Sequence, residues 1–365
     1  MNIKVTQENL SRAVNNVARI ATSSRGSLPI LSNILLKTVD GRLNLSATNL
    51  EIGITEVVGA KIVDEGTITV PARLFQEYVS SLPSGQSVSL ELKDHKLEVV
   101  CGDYTSTING VAADDFPVIP TIDDDPVWKI SSSELKKALS QVIFAASADD
   151  ARPVLTGVLL HSVDGEVFLA ATDSYRLSEK KVGKSKTEIN LLIPASALSD
   201  LSKILGDQDR EVFIHGDGQQ VLFKAGDVEL VSRLIEGTYP DYRKLLPSKF
   251  DVSVELEKQE LQGAAKLASL FARESAGSIL VSVRSDTKAI AVQSAASQLG
   301  ENSTSLGAKV TGDGEISLNS RFLLDALQAL NGSDALFRMN GKLEPCVVSS
   351  PEDDSFLHVI MPLKS

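Results

Sequence analysis

The chain has 365 residues, 42% of them hydrophobic, with 36 Lys and Arg against 48 Asp and Glu, giving a net charge of −12 at pH 7. At about 100 to 200 residues per domain this length predicts two or three domains, and the acidic balance argues against a protein that holds nucleic acid by a strongly basic surface, since such affinity comes from Lys and Arg displacing counterions. Cys101 and Cys346 stand far apart with no C-x-x-C, so neither a disulfide framework nor a zinc site is indicated, and no cofactor is expected. "MNIKVTQENL" has no basic start leading into an apolar run, and no window approaches the roughly 18 apolar residues of a membrane span. A soluble, cytoplasmic protein with no membrane partner is expected.

In chain order, the first predicted element is an amphipathic helix in "TQENLSRAVNNVARIA", with Leu10, Val14, Val17 and Ala21 at helical spacing. A strand follows in "LPILSNILLKTVDG", where Asp-Gly closes a hairpin into "RLNLSATNLEI". "TITVPARLFQEYVSSLP" is a strand running into a second helix, and further strands end at Phe116-Pro117. The acidic "IPTIDDDPVW" is a linker. The order then begins again with "SSSELKKALSQVIFAAS", "RPVLTGVLLHSVDG", "EVFLAATDSYRL" and "NLLIPASALSDLSKIL", and ends at Tyr239-Pro240. Pro71 and Pro194 are expected at the start of their helices, where a missing N–H costs nothing. After the linker "LPSKFDVSV" a third round gives "EKQELQGAAKLASLFARE", "GSILVSVRSDTK" and "EISLNSRFLLDALQAL", closing at Met361-Pro362.

Pro117, Pro240 and Pro362 recur at intervals of 123 and 122 residues. Repeats this long are too large for a solenoid, and each can close its own core. The prediction is an α+β chain of three tandem domains, 1–122, 123–248 and 249–365, each with two helices and antiparallel sheets. Three similar domains in a row suggest an arc that closes by symmetry.

The stretches "LPILSNILL", "VPARLFQEYVSSLP", "ADDFPVIP", "ARPVLTGVLL", "ATDSYRLS", "EGTYPDYRKLLP" and "HVIMPL", spread from residue 28 to 363, resemble the bacterial beta sliding clamp family, the processivity subunit of DNA polymerase III. The resemblance implies three DNA-clamp domains per chain and a head-to-tail homodimeric ring with helices inside and sheets outside. It also implies that double-stranded primed DNA is encircled, not gripped. A ring that holds DNA by topology needs few phosphate contacts, which removes the objection raised by the charge.

Basic residues are expected on the inward helix faces. Arg12, Asn15, Asn16 and Arg19 fall opposite Leu10, Val14 and Val17, and Gln262, Lys266, Ser269 and Arg273 make a similar face in the third repeat. Arg73, Lys136, Lys203 and Arg321 lie on the same set of helices. Taken alone such faces are ordinary solvated surface, and the repeat is what sets them apart. By resemblance Arg25 and Arg152, in equivalent loops, reach duplex phosphates, the alternative for Arg152 being a local pair with Asp149 or Asp150.

The family also implies a hydrophobic pocket for a short peptide shared by the polymerase III alpha subunit, the clamp loader, other polymerases and repair proteins. Carried over by motif, its residues are Leu155, Thr172, Ser174, Tyr175, Arg176 and Leu177, then Pro240, Lys244 and Leu245, then Asn319, Phe322, Leu343 and Pro345, and last Val359, Met361, Pro362 and Leu363. Aliphatic walls, an adaptable Met and a few orienting polar groups suit such a ligand. Ser174 and Tyr175 stand where the best-known members have Gly and His, Lys244 where Arg is common, and Ala276 where an aromatic can sit; these departures bear on peptide preference. The ring interface would pair the edge "GDYTSTING" with one near "ENSTSLGAKV", backed by Leu270 and Phe271 meeting Ile108.

Two other readings are open to the sequence. Asp114, Asp115, Asp123, Asp124 and Asp125 could hold a metal for hydrolysis, but they lie in predicted linkers with no His or Lys at fixed spacing. His95, His161, His215 and His358 accompany no nucleophile, P-loop or dinucleotide motif, so catalysis is not expected. A repeat-built peptide-binding scaffold that never touches DNA is the remaining alternative.

Overall fold

The computed structural model of the chain describes residues 1–23, 28–296 and 300–363. Its residues gather into two compact units, each discontinuous in sequence: Met1–Lys136 with Ser196–Leu234, and Lys137–Ala195 with the chain from Ile235 onward. The predicted helices form as α1 (Gln7–Ser23), α2 (Ala72–Ser81), α3 (Ser132–Val142), α4 (Ala195–Ile204), α5 (Lys258–Phe271) and α6 (Ser320–Ala329).

In the first unit a five-stranded antiparallel sheet runs in the order 61–64, 2–6, 87–93, 96–101, 104–109. The second sheet has eight strands: 128–131, 211–216, 220–225, 228–233, 52–59, 42–48, 33–39 and 67–71. Its halves come from the first and middle repeats and join where Leu230 pairs with Ile54. In the second unit a nine-stranded sheet is built the same way from the middle and last repeats, joined where Leu177 pairs with Val359. A four-stranded sheet there runs 300–307, 289–296, 278–284, 314–319.

The apolar stripe of α1 drives its packing. Leu10, Val14 and Val17 are fully buried, and the helix lies over strands 42–48 and 52–59 and beside α2. Each such side chain contributes about 1.5–3 kcal/mol relative to exposure. In the second unit α5 pairs with α6, and Leu261, Ala265, Leu323 and Leu327 are fully buried.

The Asp-Gly turns behave as their chemistry requires. Asp40 and Gly41 have φ of 49° and 73°, Asp164 and Gly165 have 52° and 79°, and the pairs Val39 with Arg42 and Val163 with Glu166 close two-residue hairpins. The prolines sit one place earlier than expected: Pro71 is the cap preceding the first turn of α2, and Pro194 ends the strand Asn190–Pro194. At the third equivalent point Asn319 caps α6, its side chain accepting from the Arg321 N–H at 2.9 Å.

Candidate functional site

The segment Thr172–Arg176 is a loop that fixes itself. The Thr172 hydroxyl donates to the Arg176 carbonyl at 2.6 Å and accepts from the Ser174 N–H at 3.1 Å. The Asp173 carboxylate accepts the N–H groups of Tyr175 and Arg176 at 2.9 and 3.0 Å. Ser174 takes φ of 78°, and Tyr175 is thrown outward, 61% exposed. Met361 closes on this loop, its N–H donating to the Tyr175 carbonyl at 2.9 Å, and the Leu363 N–H donates to the Ser317 carbonyl of strand 314–319 at 2.8 Å.

Arg176 turns inward and is 9% exposed. Its Nε donates to Asp173 at 3.0 Å, Nη1 to Asp325 at 2.6 Å and Nη2 to the Phe144 carbonyl at 2.6 Å. The guanidinium lies 4.5 Å from the Phe322 ring centre and 5.4 Å from that of Phe144. Beside it His358 is fully buried, hydrogen-bonded to the Ser178 hydroxyl at 2.7 Å through Nδ1, and burial with the Arg176 charge pushes its pKa down to about 3.

The "YPDYRKLL" segment is anchored from below. The Tyr242 O–H donates to Glu179 at 2.5 Å, and the neutral His161 donates from Nε2 to Tyr242 Oη at 2.7 Å. Burial and the Arg243 charge lower the His161 pKa to about 4, which keeps it neutral in that role. Arg243 donates to Glu179 at 3.1 Å and lies over Phe168 at 4.1 Å. Burial first, then Glu179, raise the Tyr242 hydroxyl pKa far above its usual value.

The expected pocket residues separate into two layers. Leu155, Thr172, Arg176, Leu177 and Val359 are buried, and Leu177 and Val359 belong to a core cluster with Tyr242 and Val347. Tyr175, Pro240, Lys244, Leu245 and Leu343 are exposed, and Asn319, Phe322, Pro345, Met361, Pro362 and Leu363 are half-buried. Lys244 pairs with Asp241 at 2.8 Å. Ala276 takes the left-handed conformation, φ 52°, after the short turn that follows α5, and its carbonyl accepts from Asn319 at 3.3 Å. Asp325 and Phe144, which the sequence alone does not point to, hold Arg176; Asp325 sits three residues after Phe322 on α6, on the same helix face.

The basic residues are unequal. Arg19 and Lys203 are exposed and flank Asp200, whose carboxyl is pushed up by burial and partly drawn back by their charges. Arg12 leans on the buried Glu56 at 3.3 Å, and Asn16 donates to the same carboxylate at 2.8 Å. Arg73 pairs with Glu77 one turn away. Lys136 donates to the Gly206 carbonyl and pairs with Asp207. Lys266, Arg273 and Arg321 are exposed. Arg152 donates to Ser174 at 2.9 Å and meets Asp149 at 3.8 Å, which is the local pairing weighed for it. Arg25 lies outside the described residues.

Both strands expected at the ring interface are sheet edges, Tyr104–Asn109 in the first unit and Gly300–Gly307 in the second. Leu270 is 46% exposed and Phe271 half-buried, as an interface side chain requires. Ile108 pairs with Leu97 on the neighbouring strand and is 3% exposed. As the one aliphatic residue in "YTSTIN" it is the side chain the sheet buries. Tyr104 and Leu267, 58% and 50% exposed, are the large apolar side chains the sequence reading passed over.

Among the described residues no group of His, Cys, Asp or Glu could hold a metal ion. No helix among them is long and apolar enough to cross a membrane. Asp124 serves the fold, its carbonyl accepting from His215 Nδ1 at 2.7 Å.

Paired helices beside antiparallel sheets shared between successive repeats, with free edges on the outer strands, define a three-domain DNA clamp. Profiles of the N-terminal, central and C-terminal domains of the DNA polymerase III beta subunit match residues 1–120, 129–241 and 243–364. The beta sliding clamp of Synechococcus elongatus is 30% identical over 373 residues, covering 100% of this chain and 99% of its own. That of Staphylococcus aureus is 30% identical, covering 94% of each. Among solved structures, the sliding clamp of Bacillus subtilis superposes with a TM-score of 0.94 at 29% identity, covering 100% of this chain and 99% of that one. The clamp of Pseudomonas aeruginosa bound to griselimycin gives 0.93 at 26%, covering all of both. The chain belongs to the DNA polymerase III beta subunit family, the bacterial beta sliding clamps, which are non-catalytic processivity scaffolds.

Proposed function

We propose that the chain acts as a head-to-tail dimeric ring on duplex DNA, with clamp domains 1–122, 123–248 and 249–365, and that it tethers the replicative polymerase, clamp loader and repair proteins through the Thr172–Leu177 surface. The observation that carries the peptide reading is the pair of hydrogen bonds by which Met361 and Leu363 close on the Tyr175 and Ser317 carbonyls, which fixes these apolar residues against the exposed Tyr175 loop. Tyr175, Leu245 and Leu343 are exposed large apolar side chains of the same set, and the ligand-bound relative supports a ligand-taking surface in this fold. The residues carried over by resemblance fill two roles in this reading: the exposed and half-buried ones meet the peptide, and Leu155, Leu177 and Val359 form its floor. Tyr175 and Lys244 tune which peptide is preferred. Work of this kind places the protein in the bacterial cytoplasm.

The exposed Arg19, Lys203, Lys266, Arg273 and Arg321 supply a thin basic lining on an acidic body, with Arg152, Arg12, Arg73 and Lys136 adding less because their charges are shared or local; Arg25 is kept as a phosphate contact on the resemblance alone. Direct affinity for a short linear duplex should therefore be weak and salt-sensitive, while a ring loaded on nicked circular DNA should survive salt and be lost when the circle is cut. The interface reading uses the two edge strands, with Leu270 and Phe271 meeting Ile108. Replacing Leu270 and Phe271 by Ala, at roughly 2 to 5 kcal/mol for each large buried side chain, should turn the dimer into monomer in solution-mass measurements.

Titrating a labelled Gln-Leu-x-Leu-Phe peptide tests the pocket. Deleting residues 361–365 should weaken binding tenfold or more, about 1.4 kcal/mol upward, with the dimer intact. Equal affinity for the full and truncated chains removes the chain end from the site.

A further inference from the structure

Arg176 sits in the motif expected to meet the peptide, yet it is 9% exposed and three of its N–H donors are spent inside the protein, on Asp173, Asp325 and the Phe144 carbonyl. Its guanidinium plane is filled as well, by Phe322 at 4.5 Å and Phe144 at 5.4 Å. Little of this side chain is left for a ligand. What it does instead is join two pieces far apart in sequence, the Thr172–Arg176 loop and α6.

On α6 the partners are Phe322 and Asp325, three residues apart and so on one face of the helix. Asp325 meets Nη1 at 2.6 Å and is 28% exposed. An Arg whose fork is held by a carboxylate is fixed in plane as well as in position, and the ring stacked on that plane is fixed with it.

We infer that Asp325 is a positioning residue of the peptide site: through Arg176 it sets the distance between the Thr172–Arg176 loop and α6 and the orientation of the Phe322 ring, and with them which aromatic or aliphatic anchor the site accepts. The inference rests on the peptide-site reading above. Asp325 need never touch the ligand, and its effect should appear in discrimination between ligands as well as in affinity.

The test uses the full-length dimer and two labelled peptides, Gln-Leu-x-Leu-Phe and Gln-Leu-x-Leu-Leu. Asp325→Ala should weaken the Phe-ended peptide about tenfold and bring the ratio of the two affinities at least threefold closer to one. Asp325→Glu, which keeps the carboxylate, should recover most of that ratio. Arg176→Lys, a point charge that cannot span three acceptors, should behave like Asp325→Ala. Thermal unfolding and solution mass of each variant identify one that fails to fold, and Asp325→Asn, nearly isosteric, then takes its place with the same expected loss of discrimination. If wild-type protein binds both peptides and the Asp325 variants keep the wild-type ratio, the positioning role is wrong. If wild-type protein binds neither, the peptide-site reading itself has failed.

Discussion

The loops Thr48–Ile52 and Thr172–Arg176 are one structure written twice. Thr48 donates to the Ile52 carbonyl at 2.9 Å and accepts from the Leu50 N–H at 3.0 Å, while Asn49 accepts from Glu51 and Ile52 at 3.1 and 2.8 Å. The Arg233 N–H closes on the Glu51 carbonyl at 3.0 Å, as Met361 closes on Tyr175 at 2.9 Å. Leu50 and Ser174 share the left-handed conformation at φ 75° and 78°. The side chains differ: where the first loop has Ile52, 5% exposed, the second has Arg176 with three acceptors and two aromatic rings. The backbone device therefore serves the joining of sheets in both units, and the two copies differ in their side chains.

The sharpest way to separate the copies is acid. Ser178 and His358 pair in the second unit at the register that Ile54 and Leu230 occupy in the first. With a folded pKa near 3 against an ordinary 6.5, His358 binds its proton in the unfolded chain first, so stability is full above pH 6.5 and falls as the pH drops toward 3. At 1.36 kcal/mol per unit the loss from this group reaches about 3 kcal/mol by pH 4. It should fall on the second unit, and hydrogen exchange should show it there first. His358→Leu, which copies the first unit, should flatten the profile; an unchanged profile would break the assignment.

Arg176→Ile writes the first loop into the second. It leaves Asp173 and Asp325 without their cation, and at about 2 to 3 kcal/mol, reduced from the fully buried case because both carboxylates keep some solvent, it should shift the denaturant midpoint clearly. Smaller and symmetric effects should follow Thr48→Val and Thr172→Val, about 1 to 2 kcal/mol each, since each removes one O–H bond to a carbonyl and orphans one amide. Strongly unequal losses would mean that the loops are alike in shape but not in energy.

The repeat, the helices and the Asp-Gly hairpins were legible because they rest on local chemistry: periodicity, and φ above zero at Asp40, Gly41, Asp164 and Gly165. The edge position of Tyr104–Asn109 could be read in the same way, but the inward face of Ile108 depends on Leu97 across the sheet. The role of Arg176 was hidden for a related reason. Its motif was plain, but its partner Asp325 lies 149 residues away, and no spacing rule connects the two. The Arg12 pair with Glu56, 44 residues on, was hidden likewise.

The smallest expected effect sharpens the comparison most finely. Ser174→Gly and Leu50→Gly should each stabilise the protein by about 0.5 kcal/mol, the relief of a left-handed residue outweighing the entropy Gly adds to the unfolded chain, as calorimetry can check.

The sequence repeats every 122 or 123 residues, yet its longest sheets are each stitched from two repeats. The period of inheritance and the period of cohesion are out of phase. A cut at a repeat boundary therefore does not free a finished piece; it bares residues 52–56 or 176–180 as raw edges whose amides and carbonyls lose their cross-repeat partners. A nuisance for anyone excising a fragment becomes a safeguard in the whole chain, because a nick or a local melt between repeats is still spanned by a ladder of hydrogen bonds.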